Sequence, residues 1–108
     1  MSLDLDKFVE INQLYRFYYP LLTEKQQNII AYYYHDNYSI SEIAELENVS
    51  RNAVHDQLKR TVSKLYNFEN RLGLLRKFKA RQDIIQKLKE RCTEAENRLL
   101  LEALEKVE

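Results

Sequence analysis

A single glycine, Gly73, and a single proline, Pro20, serve the whole 108-residue chain. Tight hairpins draw on those residues for left-handed or fixed backbone angles, so a fold of many short strands has almost no turn material here. Leu, Lys, Glu, Gln, Arg and Ala are plentiful instead, and they suit helices. The fold class expected is all-α. Apolar residues make up 44% of the chain, enough for a modest core in one domain, or in one domain with an appended helix.

Helix boundaries follow from caps and breakers. Leu5, Phe8, Ile11, Tyr15 and Tyr18 recur at helical spacing over residues 4–18, with Asp4 and Asp6 in the first turn where they complement the helix dipole. Pro20 ends that helix by restricting Tyr19. The cluster Tyr15-Arg16-Phe17-Tyr18-Tyr19 offers base-stacking rings, but the surrounding half-chain is acidic, so core packing is the reading adopted. Thr23 with Gln26 forms a capping box for a helix from Glu24 to about Tyr34 that buries Ile29, Ile30 and Tyr33. His35-Asp36-Asn37-Tyr38 is a polar break in which His35 is solvated.

Residues 39–61 then spell two helices joined by a tight turn. Ser39 with Glu42 is a second capping box, which starts a short helix at Ile40 with Ile43, Ala44 and Leu46 facing inward. Asn48 suits a left-handed turn, and Val49 is the apolar residue that pins the pair. Ser50 caps the next helix. From there Ala53, Val54, Leu58, Thr61, Val62, Leu65 and Phe68 recur at spacings of three and four, leaving Arg51, Asn52, His55, Asp56, Lys59 and Arg60 outside. This is a helix-turn-helix signature, and the outer face is the one such a helix reads with.

That second helix has no breaker before Gly73, the residue suited to close it at Leu72. The division expected is a helix-turn-helix domain over 1–72 and a C-terminal helical extension over 73–108. Either one long helix fills the extension, or the Thr93/Glu96 capping box restarts it near Cys92 as 94–107; the break is favoured. Its apolar stripe includes Phe78, Ile85, Leu88, Cys92 and Leu99, assigned here to dimerisation, with Leu100, Leu101 and Leu104 widening the face. Heptad order is too irregular for an independent coiled coil, since Arg81 and Glu102 fall on a seam position. Folding back on the same domain and pairing with a second copy both remain open, with pairing preferred.

Charge is balanced overall but unevenly placed. Residues 1–50 hold 3 basic and 8 acidic side chains, whereas residues 71–91 hold 8 and 2. An anion-binding surface therefore belongs between residues 51 and 91. Base-edge contacts need Arg, Asn or Gln near the start of the reading helix, which nominates Arg51, Asn52, His55 and Gln57. Phosphate contacts are assigned to Lys59, Arg60, Lys64, Arg71, Arg76, Lys77, Lys79 and Arg81. Asp56 opposes both roles unless Arg60, four residues on, pairs with it. The run Arg76-Lys77-Phe78-Lys79-Ala80-Arg81 has a blander reading as the solvated side of an amphipathic helix.

Ala44, Val49, the run Ser50-Arg51-Asn52-Ala53-Val54 and Leu58 resemble the DNA-reading fourth region of bacterial sigma factors. The longer run from Leu21-Leu22-Thr23-Glu24-Lys25-Gln26 to Lys59-Arg60-Thr61, with Asn70-Arg71-Leu72-Gly73-Leu74 after it, is similar to the YlxM-type family of small bacterial helix-turn-helix proteins. The resemblance implies a regulatory protein connected with the signal recognition particle pathway, with nucleic acid as partner, DNA ahead of RNA, and the particle's components as further partners. A different class of function stays open beside it. The same scaffold could dock on the particle's GTPase or RNA without reading DNA.

Other classes find no support in the sequence. There is no glycine-rich phosphate loop, nucleophile elbow or paired His or Cys cluster, so neither an enzyme nor a cofactor is expected. His35 and His55 stand 20 residues apart without a carboxylate constellation, and Cys92 is alone, so no metal site is expected; Cys92 reads as a small buried hydrophobe. Long uncharged apolar runs and a basic start are missing, so a cytoplasmic location without a membrane partner is expected.

Overall fold

The structure, a computed structural model, describes residues 5–107, and every regular element among them is helical. It separates into two compact units, one ending at Leu72 and the other beginning at Gly73. The first unit runs α1 (Leu5–Tyr18), a 3₁₀ turn (Tyr19–Leu21), α2 (Glu24–Ile30), a π turn (Ala31–His35), α3 (Ile40–Glu47) and α4 (Arg51–Leu72). Helices α1, α2 and α3 all pack against α4, whose 22 residues form the spine.

α4 buries Val54, Leu58, Thr61 and Leu65, a stripe at spacings of three and four. Thr61 sits in that stripe because its hydroxyl donates to the Gln57 carbonyl one turn back, at 2.8 Å, leaving only its methyl to pack. Ile29 and Ile30 of α2, with Ile43 and Ala44 of α3, close over Val54 and Leu58 as one buried cluster.

On α1 the buried residues are Ile11, Leu14 and Tyr18. Leu14 replaces Leu5 in the expected stripe, and Leu5 is 77% exposed. At 100° per residue positions 14 and 15 both lie near the face of Ile11, and where α4 sits decides between them. Tyr15 is half-buried as a result. Asp4 lies outside the described residues. Two hydrogen bonds tie α1 to α4, from the Tyr18 hydroxyl to Glu69 Oε1 at 2.7 Å and from the Tyr66 hydroxyl to Glu10 Oε1 at 2.5 Å.

Pro20 stands in the 3₁₀ turn that ends α1. Both halves of the Thr23/Gln26 box form and start α2. Past Ile30 the ladder widens into π geometry, with the Asp36 amide donating to the Ala31 carbonyl at 2.9 Å. Neighbouring groups support the change of register. The Asn12 amide from α1 donates to the Tyr34 carbonyl at 3.1 Å, and the Tyr32 ring stacks on Tyr38 at 5.5 Å. The expected α-helix to Tyr34 is thus corrected to α2 plus a π turn, and Tyr33 is half-buried.

The second unit is a helical hairpin of α5 (Leu74–Arg91) and α6 (Ala95–Val107). Gly73 precedes it in the left-handed conformation at φ 64°, and a Cβ added there would lie 2.5 Å from the Arg76 guanidinium. The break near Cys92 is present, with Cys92 in extended backbone and half-buried rather than buried. α6 begins one residue later than expected, so Glu94 and not Thr93 precedes its first turn. Arg98 crosses from α6 and donates to the Lys89 and Cys92 carbonyls at 2.9 and 3.2 Å, satisfying groups the end of α5 leaves open. Lys89 pairs with Glu105 at 2.5 Å. Ile85 and Leu101 are buried, whereas Leu88 and Leu99 of the expected stripe are 43% and 63% exposed and Phe78 is half-buried.

No described helix is long and apolar enough to cross a membrane. Among the described residues no group of three or more His, Cys, Asp or Glu side chains is placed to hold a metal ion.

Candidate nucleic-acid interface

The stretch from Ser39 to Arg51 sets the geometry of the outer face of α4. Ser39 and Glu42 make both hydrogen bonds of the capping box, at 3.1 and 2.8 Å, and start α3 at Ile40. Asn48 closes α3 in the left-handed conformation at φ 56°, ψ 47°. The Val49 amide then donates to the Ala44 carbonyl at 3.0 Å. It is this backbone bond that holds the turn, because the Val49 side chain is 36% exposed; Leu46, expected inward, is 55% exposed. Ser50 Oγ accepts from the Ala53 amide at 3.0 Å and caps α4.

The nominated side chains fall on three patches. Asn52, His55 and Lys59 share one shallow recess with Ala53 and Asp56 on the outer face. Arg51 turns away from it, donating to Ser41 Oγ of α3 at 3.4 Å, and lines a second recess with Glu45 and Asn48. Gln57 lies about 200° around the helix from His55 at 100° per residue. It is half-buried and lines a third recess with Thr23 and Gln26 of the α2 flank and Arg60 of α4.

The basic side chains divide in the same way. Lys59 and Arg71 are exposed, and Lys64 Nζ donates to Gln26 Oε1 at 3.4 Å. Arg60 meets Asp56 at 2.8 Å one turn apart, an exposed pair that neutralises both charges locally. Arg76, Lys77, Lys79 and Arg81 are exposed on α5 in the second unit.

Sequence reasoning passed over the side of α4 that leads from His55 towards Tyr66. There a recess of about 680 Å³ opens between α1, the π turn and α4, with Tyr33, Tyr34 and Tyr66 among its lining residues. The signal was absent because a periodic helix to Tyr34 would carry its rings elsewhere; the π turn brings two of them here.

Burial, the hydrogen bond to Glu10 and the negative charge of that carboxylate all push the Tyr66 phenol well above its ordinary value of 10.0. Burial raises Tyr34 and Tyr15 as well. In the unfolded chain these phenols ionise near pH 10 while in the folded chain they keep their protons. Their contribution is therefore whole below pH 10 and is lost as pH rises beyond it. Tyr66→Phe should cost about 1–2 kcal/mol at neutral pH, for the lost bond to a charged acceptor, and should flatten the fall in stability above pH 10. Urea midpoints measured from neutral to strongly alkaline pH check both. A variant whose alkaline slope equals that of the parent chain would remove Tyr66 as its cause.

The family model described as "Putative helix-turn-helix protein, YlxM / p13 like", UPF0122, matches residues 5–105. A UPF0122 protein of Geobacillus kaustophilus is 51% identical over 86 residues, covering 80% of this chain and 78% of that protein. One of Halalkalibacterium halodurans is 46% identical over 96% of this chain and 99% of its own length. The UPF0122 protein YlxM of Bacillus subtilis is 44% identical over 98% of this chain and its whole length.

Proposed function

The chain belongs to the UPF0122 family of helix-turn-helix proteins, and from that membership we propose that it is a regulatory protein that binds nucleic acid, DNA ahead of RNA, through the exposed face of α4. The observation that carries the reading is local. A capped helix, entered from a short helix through a left-handed turn, presents exposed Asn52, His55 and Lys59 in its first three turns. Helices of this kind read bases with their N-terminal residues. In this reading Asn52 and His55 contact base edges from the outer face and Arg51 joins them on leaving Ser41, with Lys59, Arg60 and Arg71 on phosphates. Gln57 and Lys64 serve from the α2 flank, and Arg76, Lys77, Lys79 and Arg81 of the second unit are assigned to phosphates separately.

The protein works as a homodimer in the cytoplasm, in regulation connected with the signal recognition particle. Exposed Ile84, Leu88, Leu99, Leu100 and Leu104 on the α5–α6 hairpin support pairing with a second copy, since such a surface is costly to leave in water. Nothing in the reading requires a reaction to be catalysed.

Selection of bound fragments from a sheared genomic library tests the proposal, with the Arg51→Ala/Asn52→Ala variant in parallel. The expected result is enrichment of a two-fold symmetric site that the variant loses. Absence of enrichment by the parent chain would overturn DNA reading.

One observation favours a second reading, docking on a protein partner of that pathway. The Asp56 carboxylate stands exposed on the reading face, and Glu45 lies beside Arg51. A protein interface held by apolar contacts keeps its affinity as salt rises, whereas a phosphate-driven complex loses it steeply.

A further inference from the structure

The recess between α1, the π turn and α4 has a two-part chemistry. Phe8, Ile11, Tyr34, Leu58, Val62 and Tyr66 supply an apolar and aromatic lining. Phe8 and Tyr34 pack ring to ring at 4.9 Å, and Tyr33 meets Tyr34 edge-on at 5.0 Å, so the aromatic wall is held in place. Lys7, His55 and Lys59, with Ser63 and Asn67, supply the polar part. No carboxylate lines the recess, although residues 1–72 carry more acidic than basic side chains. The volume, about 680 Å³, falls within the range of small-molecule sites. Glu10 is the carboxylate bonded to a lining residue, and it accepts from the Tyr66 hydroxyl, so two lysines beside an aromatic wall are complementary to one kind of occupant.

We propose that this recess binds a small amphiphilic organic anion, its aromatic or branched apolar body against Phe8, Tyr34 and Val62 and its carboxylate at Lys59 and Lys7. The π turn fits the assignment, because single turns of that geometry recur at functional sites and this one delivers Tyr33 and Tyr34 to the wall. Lys59 and His55 also border the outer recess of α4, so an occupant would compete with nucleic acid for them. That consequence rests on the function proposed above, whereas the binding itself does not.

The test is a nuclear magnetic resonance titration of the full chain with 3-phenylpropionate and, separately, with its neutral alcohol. The acid is expected to give saturable shifts at Lys7 and Lys59 as well as at Phe8, Tyr33, Tyr34, Val62 and Tyr66, with a dissociation constant of about 1 mM or below. Lys59→Gln should weaken the acid about tenfold and leave the alcohol unchanged. Ser63→Trp, at an exposed position on the lining, should block both while the dispersed spectrum reports an intact fold. Equal binding of acid and alcohol would overturn the proposal, as would shifts that map to α5 and α6 or fail to saturate.

Discussion

Ile43→Ala should lower stability by about 2–5 kcal/mol, which for a unit of this size is a fall of roughly 10–30 °C in the unfolding midpoint. Ile43 is completely buried and sits among Ile29, Ile30, Val54 and Leu58, so removing its outer carbons leaves a cavity lined from three helices. The lost burial and the cavity then act together, because α2, α3 and α4 cannot collapse on the gap without dragging a capped turn with them. Leu46→Ala on the same helix is the control. Leu46 is 55% exposed, and its loss should stay within about 0.5 kcal/mol. Thermal melts followed by circular dichroism decide the matter. Similar losses at both positions would mean that α3 presents a different face to α4.

The second large effect concerns charge on the outer face of α4. Lys59→Glu is expected to weaken DNA binding by at least tenfold at about 0.15 M salt, since it replaces an attraction to phosphate with a repulsion at the same point. Lys59→Gln should be milder and should reduce the slope of log affinity against log salt by about one. Lys59 has no ion-pair partner among the described residues, so its whole charge is available. Arg60 differs, being already matched by Asp56 at 2.8 Å.

Arg60→Gln should therefore cost less than Lys59→Gln, and Asp56→Asn should strengthen binding several-fold by releasing Arg60 and removing a like charge from the phosphates. Titrations over a range of salt measure all four variants. Weaker binding by Asp56→Asn would mean that this carboxylate accepts from a base, as a cytosine amino group permits.

Local chemistry made most of the chain's architecture legible. The Ser39/Glu42 and Thr23/Gln26 boxes, the Ser50 cap, the left-handed Asn48 and Gly73 each act within a few residues, so their sequence signals and their structures coincide. The buried stripe of α4 was legible for the same reason. Its period of three and four is a property of one helix, whatever packs on it.

What the sequence left open depended on partners distant along the chain. Whether Leu14 or Tyr15 is buried on α1 follows from where α4 lies, and both choices satisfy the helical period. The π turn after Ile30 rests on Asn12, some twenty residues earlier, reaching the Tyr34 carbonyl. Leu46 and Val49 look like core residues by composition, yet α3 is too short and the turn too tight for α4 to cover them.

At the candidate interface the sequence determined which residues are exposed on α4, because periodicity alone separates the outer face from the inner. Tertiary structure decided how they group. Arg51 is drawn to Ser41, Gln57 to the α2 flank, and the aromatic recess exists only because a change of helical register brings Tyr33 and Tyr34 beside Lys59. A helix specifies its own faces through a period of 3.6 residues, but the surroundings of each face are specified by chain segments that no local pattern connects to it.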